Sequence, residues 1–202
     1  MDMNTRQILN LFEQISAIPR CSKQEAGISR WLQDWGCFRG LATVSDPAGN
    51  VVMRIPPSPG FETLPGVVLQ SHMDMVCEKL PETDHDFTRD PIRLIYDGDW
   101  LKADRTTLGA DNGIGMAIAL ALAADAGLRH PPLELLFTVD EETGLTGAQR
   151  LSSEMIQGRI LINLDSEDEG VFTVGCAGGM DTKIRIPVER EKTATNDCLF
   201  GI

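Results

Sequence analysis

No stretch of this sequence approaches the ~20 consecutive apolar residues that a membrane-spanning helix needs, and no part of it is a repeat or a low-complexity tract. Met1-Asp2-Met3-Asn4-Thr5-Arg6 lacks the basic segment and apolar core of a secretory signal, so the expected compartment is the cytoplasm. Basic residues are the minority: 18 Lys and Arg against 30 Asp and Glu give a net charge of -12. Nucleic-acid phosphates and anionic lipids need a basic footprint, so neither is an expected partner, whereas a cation-binding cleft suits the acidity. Five cysteines (Cys21, Cys37, Cys77, Cys176, Cys198) are an odd number with no CxxC pair. That speaks against a disulfide framework and a cysteine-rich zinc knot, and for reduced, mostly buried thiols.

What is present is an ordinary globular composition. The 202 residues are 42% hydrophobic and 24% charged, which fits one domain or one domain with a short extension. Ile8, Leu9, Leu11, Phe12, Ile15 and Ile18 recur at helical spacing and predict a helix over 5–18, ended by Pro19. Ser22 and Glu25 form a capping-box pattern ahead of a second helix carrying Ile28, Trp31, Leu32 and Trp35. Ala42-Thr43-Val44 and Val51-Val52-Met53-Arg54-Ile55 flank a turn at 46–50 and read as a hairpin. Val67-Val68-Leu69 is a continuous apolar run, as in a strand covered on both faces. A short hairpin is expected around 95–100, a buried helix over 112–128, a strand over 133–139, a short helix near 151–155 and a strand over 159–164. Residues 171–174 and 183–188 are further strand candidates.

Polar residues just beyond the carboxyl ends of strands collect along one crevice of an open α/β sheet. Four such places carry His72 and Asp74, Asp111, Glu141 and Glu142, and Asp165. Zinc accepts imidazole nitrogen and carboxylate oxygen, and a carboxylate is a natural bridge between two metals. His72, Asp111, Glu142 and Asp165 are therefore candidate ligands. Glu141, beside a ligand, is a candidate proton acceptor, and Asp74 is placed to orient His72. Each has a plainer reading: Asp111 as a helix cap, Glu141-Glu142 as a solvated pair, His72 as a buried histidine. Other chemistries fail on the residues. Asp165-Ser166-Glu167-Asp168-Glu169-Gly170 starts like a calcium loop, but Cys176 stands where the closing Glu belongs. Gly113-Ile114-Gly115 lacks the third glycine of a dinucleotide fingerprint, and nothing marks Cys77 as an activated thiolate.

The stretches 70–76, 107–115, 140–144 and 163–167, together with 85–92 and 175–179, resemble the M20 metallopeptidases, most closely their aminoacyl-histidine dipeptidase branch. The resemblance implies a zinc-peptidase-like α/β fold, with a mixed, mostly parallel sheet flanked by helices. It implies two zinc ions per site, Co2+ or Mn2+ being substitutes. His72 and Asp165 would hold one ion and Glu142 the other, with Asp111 bridging across a cis Asp111–Asn112 peptide. Glu141 would be the general base, and Asp74 would support His72. It also implies hydrolysis of small peptides, Xaa-His dipeptides of the carnosine type, by a protein that is a homodimer at full length. Members of that branch are about twice as long and carry a later lid or dimerisation domain and a final histidine ligand, which neither His85 nor His130 matches. The expectation is thus the N-terminal part of a catalytic domain over residues 1–202, with exposed apolar surface and very low activity of its own. A related deacylase or tripeptidase, and a non-catalytic metal-binding fragment, are the rival readings.

Overall fold

A computed structural model describes residues 3–166, 168, 170–175, 178 and 182–188 of the chain. It divides into a first unit, Met1–Glu167, and a second, Asp168–Ile202. In the first unit, helices α1 (Met3–Ser16) and α2 (Ala26–Phe38) precede strands β1 (Ala42–Ser45), β2 (Val51–Ile55) and β3 (Val67–His72). A two-stranded hairpin, β4 (Leu94–Asp97) and β5 (Trp100–Ala103), leads to α3 (Ala110–Ala124) and β6 (Leu133–Thr138). The short helix α4 (Thr146–Arg150), a 3-10 turn (Ser153–Met155) and β7 (Ile160–Asn163) follow.

Five strands form one sheet in the order β1-β2-β6-β3-β7. β2 runs antiparallel to β1 and β6, and β3 runs parallel to β6 and β7. Four of the five strands therefore point the same way, giving the mixed, mostly parallel sheet with flanking helices that the sequence implied. The apolar runs of β2 and β6 are buried nearly throughout, because both faces of the sheet are covered. On one face, Leu11, Phe12 and Ile15 of α1, Ile28, Leu32 and Trp35 of α2, and Met116 and Leu120 of α3 share one core with the strands. On the other face, Val52, Val68 and Leu136 pack under Leu151, Met155 and Ile156. The link from β3 to β6 thus crosses one face and the link from β6 to β7 carries the other. Between such diverging connections a crevice opens at the carboxyl ends of β3, β6 and β7. At the sheet edge, Ile160, Leu161 and Ile162 of β7 are all exposed.

Several expectations need correction. Cys21 and Cys77 are not reduced thiols but a disulfide, with Cα atoms 5.7 Å apart across 56 residues. Spacing alone hid it: Cys21 and Met75 form a parallel bridge, which lays the segment after α1 beside the one after β3. Of the remaining cysteines, Cys37 is free and exposed rather than buried, and Cys176 and Cys198 lie outside the described residues. Ser22 does not cap α2; Glu25 occupies that position, and its carboxylate accepts from the Lys23 amide at 2.8 Å. α3 ends at Ala124 instead of 128, because Asp125 turns extended and its side chain accepts from the Gly127 amide. Residues 171–174 and 183–188 form no strand, since an alternating pattern supplies no ladder without a partner. Of the motif stretch 175–179, residues 176, 177 and 179 lie outside the described residues.

Candidate metal centre

β3 ends at His72, and its parallel pairing with β6, His72 opposite Thr138, sets it one short turn away from Glu141 and Glu142. β7 pairs with β3 up to Asn163, and the Leu164 amide continues the ladder to Gln70 O, so Asp165 emerges at the same end. Asp111 comes from the start of α3, where residues 111 and 112 depart from helical geometry and their peptide bond is cis. Regular helix begins at Gly113, so Asp111 presents its carboxylate to the crevice rather than capping from within it.

The four segments meet. His72 Nε2 lies 2.9 Å from Asp111 Oδ1, 3.5 Å from Asp165 Oδ1 and 4.0 Å from Glu141 Oε2. Its other nitrogen, Nδ1, lies 3.3 Å from Asp74 Oδ1. Three groups of possible ligand atoms each fit within 4.8 Å among the described residues: His72, Asp111 and Asp165; His72, Glu141 and Glu142; and the buried Glu25, Asp74 and Asp140. All six site residues read from the sequence therefore come together. The other two histidines do not join them: His85 packs edge-on against Phe87, and His130 Nδ1 faces Pro131 O. Among the described residues, one imidazole serves the whole cluster.

His72 and Asp74 are fully buried, while Asp111 and Glu142 reach toward solvent. Asp74 accepts from the Glu141 amide at 3.0 Å, the Glu142 amide at 3.2 Å and Ser22 Oγ at 2.8 Å. Burial alone would raise its pKa, yet His72 and these donors bring it down to about 2. Burial would likewise discharge His72, but the flanking carboxylates of Asp165 and Asp74 push it up to about 10. Burial pushes Glu141 and Glu142 above the ordinary carboxylate range; neighbouring Asp165 adds to this at Glu141 and Asp111 at Glu142, with His72 opposing. Asp165 goes the other way: its burial is outweighed by His72 and by the Asn112 side-chain amide, which donates to Oδ1. Among the described residues no lysine or arginine is ion-paired with Asp111, Glu141, Glu142 or Asp165. The cluster instead recruits the His72 proton as its positive charge. A divalent cation would replace that proton, and the donor set of one imidazole and several carboxylates is a fit for zinc.

Sequence reading missed the supporting residues. Ser22, read as a helix cap, donates to Asp74. Glu25 accepts from the Asp140 amide at 2.9 Å and so fixes the turn that carries Glu141 and Glu142. Asn112 was read as a helix start and as half of the cis peptide, but not as the donor to Asp165. Arg20, 1% exposed, spans the carbonyls of Met73, Asp74 and Gly109. A lone arginine between Pro19 and Cys21 was the one available signal.

Comparison with known proteins finds relatives over most of the chain. Over 189 residues the chain is 44% identical to the cytosol non-specific dipeptidase of Escherichia coli (strain K12), covering 94% of this chain and 39% of that protein. The crystal structure of aminoacylhistidine dipeptidase from Vibrio alginolyticus superposes with a TM-score of 0.79 at 48% identity, over 81% of this chain and 34% of that one. A tripeptidase from Staphylococcus aureus follows the same fold with a TM-score of 0.69 at 26% identity, over 81% of this chain and 44% of that one. The chain therefore spans well under half the length of these relatives. Residues 50–182 match the model of Peptidase family M28, and the chain belongs to that metallopeptidase family.

Proposed function

We propose that the cluster is the catalytic centre of a dinuclear zinc dipeptidase of the aminoacyl-histidine type, cleaving Xaa-His dipeptides; its motifs resemble those of the M20 metallopeptidases, a reading consistent with the M28 match. The observation that carries it is the pair of three-residue ligand groups meeting at His72, their donor atoms within 4.8 Å. His72 and Asp165 would hold one ion, Glu142 the other, and Asp111 would bridge. Cobalt and manganese, which accept the same donors, are alternatives to zinc. Zinc, when bound, polarises the scissile carbonyl and lowers the pKa of water toward about 7. Glu141 is within reach of His72 and holds its proton more readily than an ordinary carboxylate. That suits it to take a proton from the attacking water and pass it to the leaving amine. Asp74 acts on the unliganded side of the imidazole and fixes its orientation.

The preference for a C-terminal histidine is supported by the Vibrio alginolyticus relative, at 48% identity. A broader dipeptidase is the second reading, favoured by the name of the Escherichia coli relative, which also supports a cytoplasmic location. No helix among the described residues is long and apolar enough to cross a membrane. Among the described residues the second cation would be held by carboxylates, Glu142 and the bridging Asp111, with His72 given to the first, so turnover would be slow. The test is zinc-dependent hydrolysis of alanyl-histidine, dialanine and N-acetyl-alanine by this chain. Slow, chelator-sensitive cleavage with alanyl-histidine preferred is expected. Equal rates on both dipeptides favour the second reading. Cleavage of the N-acyl amino acid alone, or of none of the three, overturns the dipeptidase assignment.

A further inference from the structure

Outside the cluster, the most unusual buried charge in the described residues is Arg20. Its Nη1 donates to Met73 O at 3.0 Å and to Asp74 O at 3.1 Å, and its Nη2 donates to Gly109 O. The first two carbonyls directly follow His72, and the third lies two residues before Asp111. A planar guanidinium offers donors in a rigid fork, so it can tie two backbone segments at a set spacing; a lysine ammonium, a single point, cannot. The fold makes room for the group with two glycines. A Cβ on Gly109, which sits at φ +71, would lie 2.5 Å from Arg20 Nη2 and 2.7 Å from Met75 Sδ. One on Gly113 would lie 2.7 Å from the same nitrogen. Arg54, by contrast, pairs with the Glu134 carboxylate, whereas the hydrogen bonds that Arg20 makes through Nη1 and Nη2 go to carbonyls and its buried Nε has no partner among the described residues. Burial draws its pKa down to about 10 against the attraction of Asp74 and Asp111, so the charge is retained at neutral pH for its geometry.

We propose that Arg20 is a positioning residue of the metal centre, its guanidinium fixing the separation of the His72 and Asp111 segments. The proposal rests on reading the cluster as a cation site. The backbone at Arg20 is held independently of the side chain, by the Met75 amide donating to Arg20 O at 3.1 Å, the Cys21–Met75 bridge and the Cys21–Cys77 disulfide. Replacing the side chain therefore leaves its segment docked.

The test compares Arg20→Met and Arg20→Lys with Leu32→Ala, a core truncation on α2 that touches none of the site residues' hydrogen bonds or ion pairs. Amide hydrogen exchange is followed at Met73, Met75 and Gly113 in metal-free protein, and Co2+ affinity by visible absorption. In Arg20→Met, exchange at these amides accelerates, and cobalt affinity falls by about tenfold or more, as for lost outer-shell support, beyond the change in Leu32→Ala. Arg20→Lys recovers neither. If Arg20→Met matches Leu32→Ala in both readouts, or if lysine restores both, the positioning role is overturned. Should Arg20→Met not fold, Arg20→Lys decides by the same two measurements. Wild-type protein that binds no cobalt overturns the proposed function, and the exchange measurement alone then decides the role of Arg20.

Discussion

Strand β6 carries carboxylates near both of its ends, and the two meet opposite fates. Near its start Glu134, almost fully buried, accepts from Arg54 Nε at 3.0 Å and from the Gln157 and Gly158 amides at 2.9 and 2.8 Å. Past its other end Glu141 and Glu142 crowd with Asp111 and Asp165 around one imidazole. The first arrangement is satisfied: both carboxylate oxygens have donors, and the side chain joins β2 and β6 to the loop before β7. The second is a surplus of negative charge whose only ion-pairing protein cation among the described residues is a histidine at an elevated pKa. A carboxylate with all its partners explains itself structurally, whereas a group of under-compensated ones at strand ends calls for a cation from solution.

The comparison can be broken at either end. The largest effect is expected from His72→Ala, which removes the shared ligand. Zinc affinity should fall by about a hundredfold or more, beyond the 10–100-fold typical of outer-shell losses, as read by titration calorimetry. At the opposite end, Glu134→Ala removes the acceptor of two part-buried amides and of Arg54, and should cost about 1–3 kcal/mol in denaturant unfolding, with zinc affinity unchanged. If that substitution also weakened zinc binding, the two ends would not be independent. Asp74→Asn keeps the shape but not the charge behind His72, and should lower zinc affinity by about tenfold with a smaller loss of stability.

The smallest effect is a pH slope in metal-free protein. His72 has a folded pKa near 10 against an ordinary 6.5, so its contribution to stability is complete below 6.5 and disappears as pH rises through about 10. Asp74, depressed to about 2 from 3.8, contributes stability above 3.8 that is lost as pH falls through about 2. Thermal melts between pH 6.5 and 10 should therefore fall for the metal-free chain. They should be flatter once zinc has replaced the His72 proton. Equal slopes with and without zinc would mean that zinc leaves the His72 proton in place.

The strands that deliver the site were legible because β3, β6 and β7 are apolar runs that stop just before charged residues. Local pattern carries that information. It does not carry docking of the 20–25 segment, since Ser22 and Glu25 satisfy a capping-box rule equally well whether they cap a helix or reach Asp74 and Asp140. The disulfide escaped for the same reason: Cys21 and Cys77 become neighbours only through the pairing of Cys21 with Met75. Asp111 was ambiguous between cap and ligand, and what separates the two is its 2.9 Å approach to His72 across 39 residues.

The most direct test is a calorimetric titration of Zn2+ into metal-free protein, repeated with Asp111→Ala. Two saturable cations per chain, one tight and one weaker, with both weakened by removal of the bridging carboxylate, are the predicted result. A single cation would contradict a dinuclear centre, and no saturable binding, or binding indifferent to Asp111, would contradict the cation site itself.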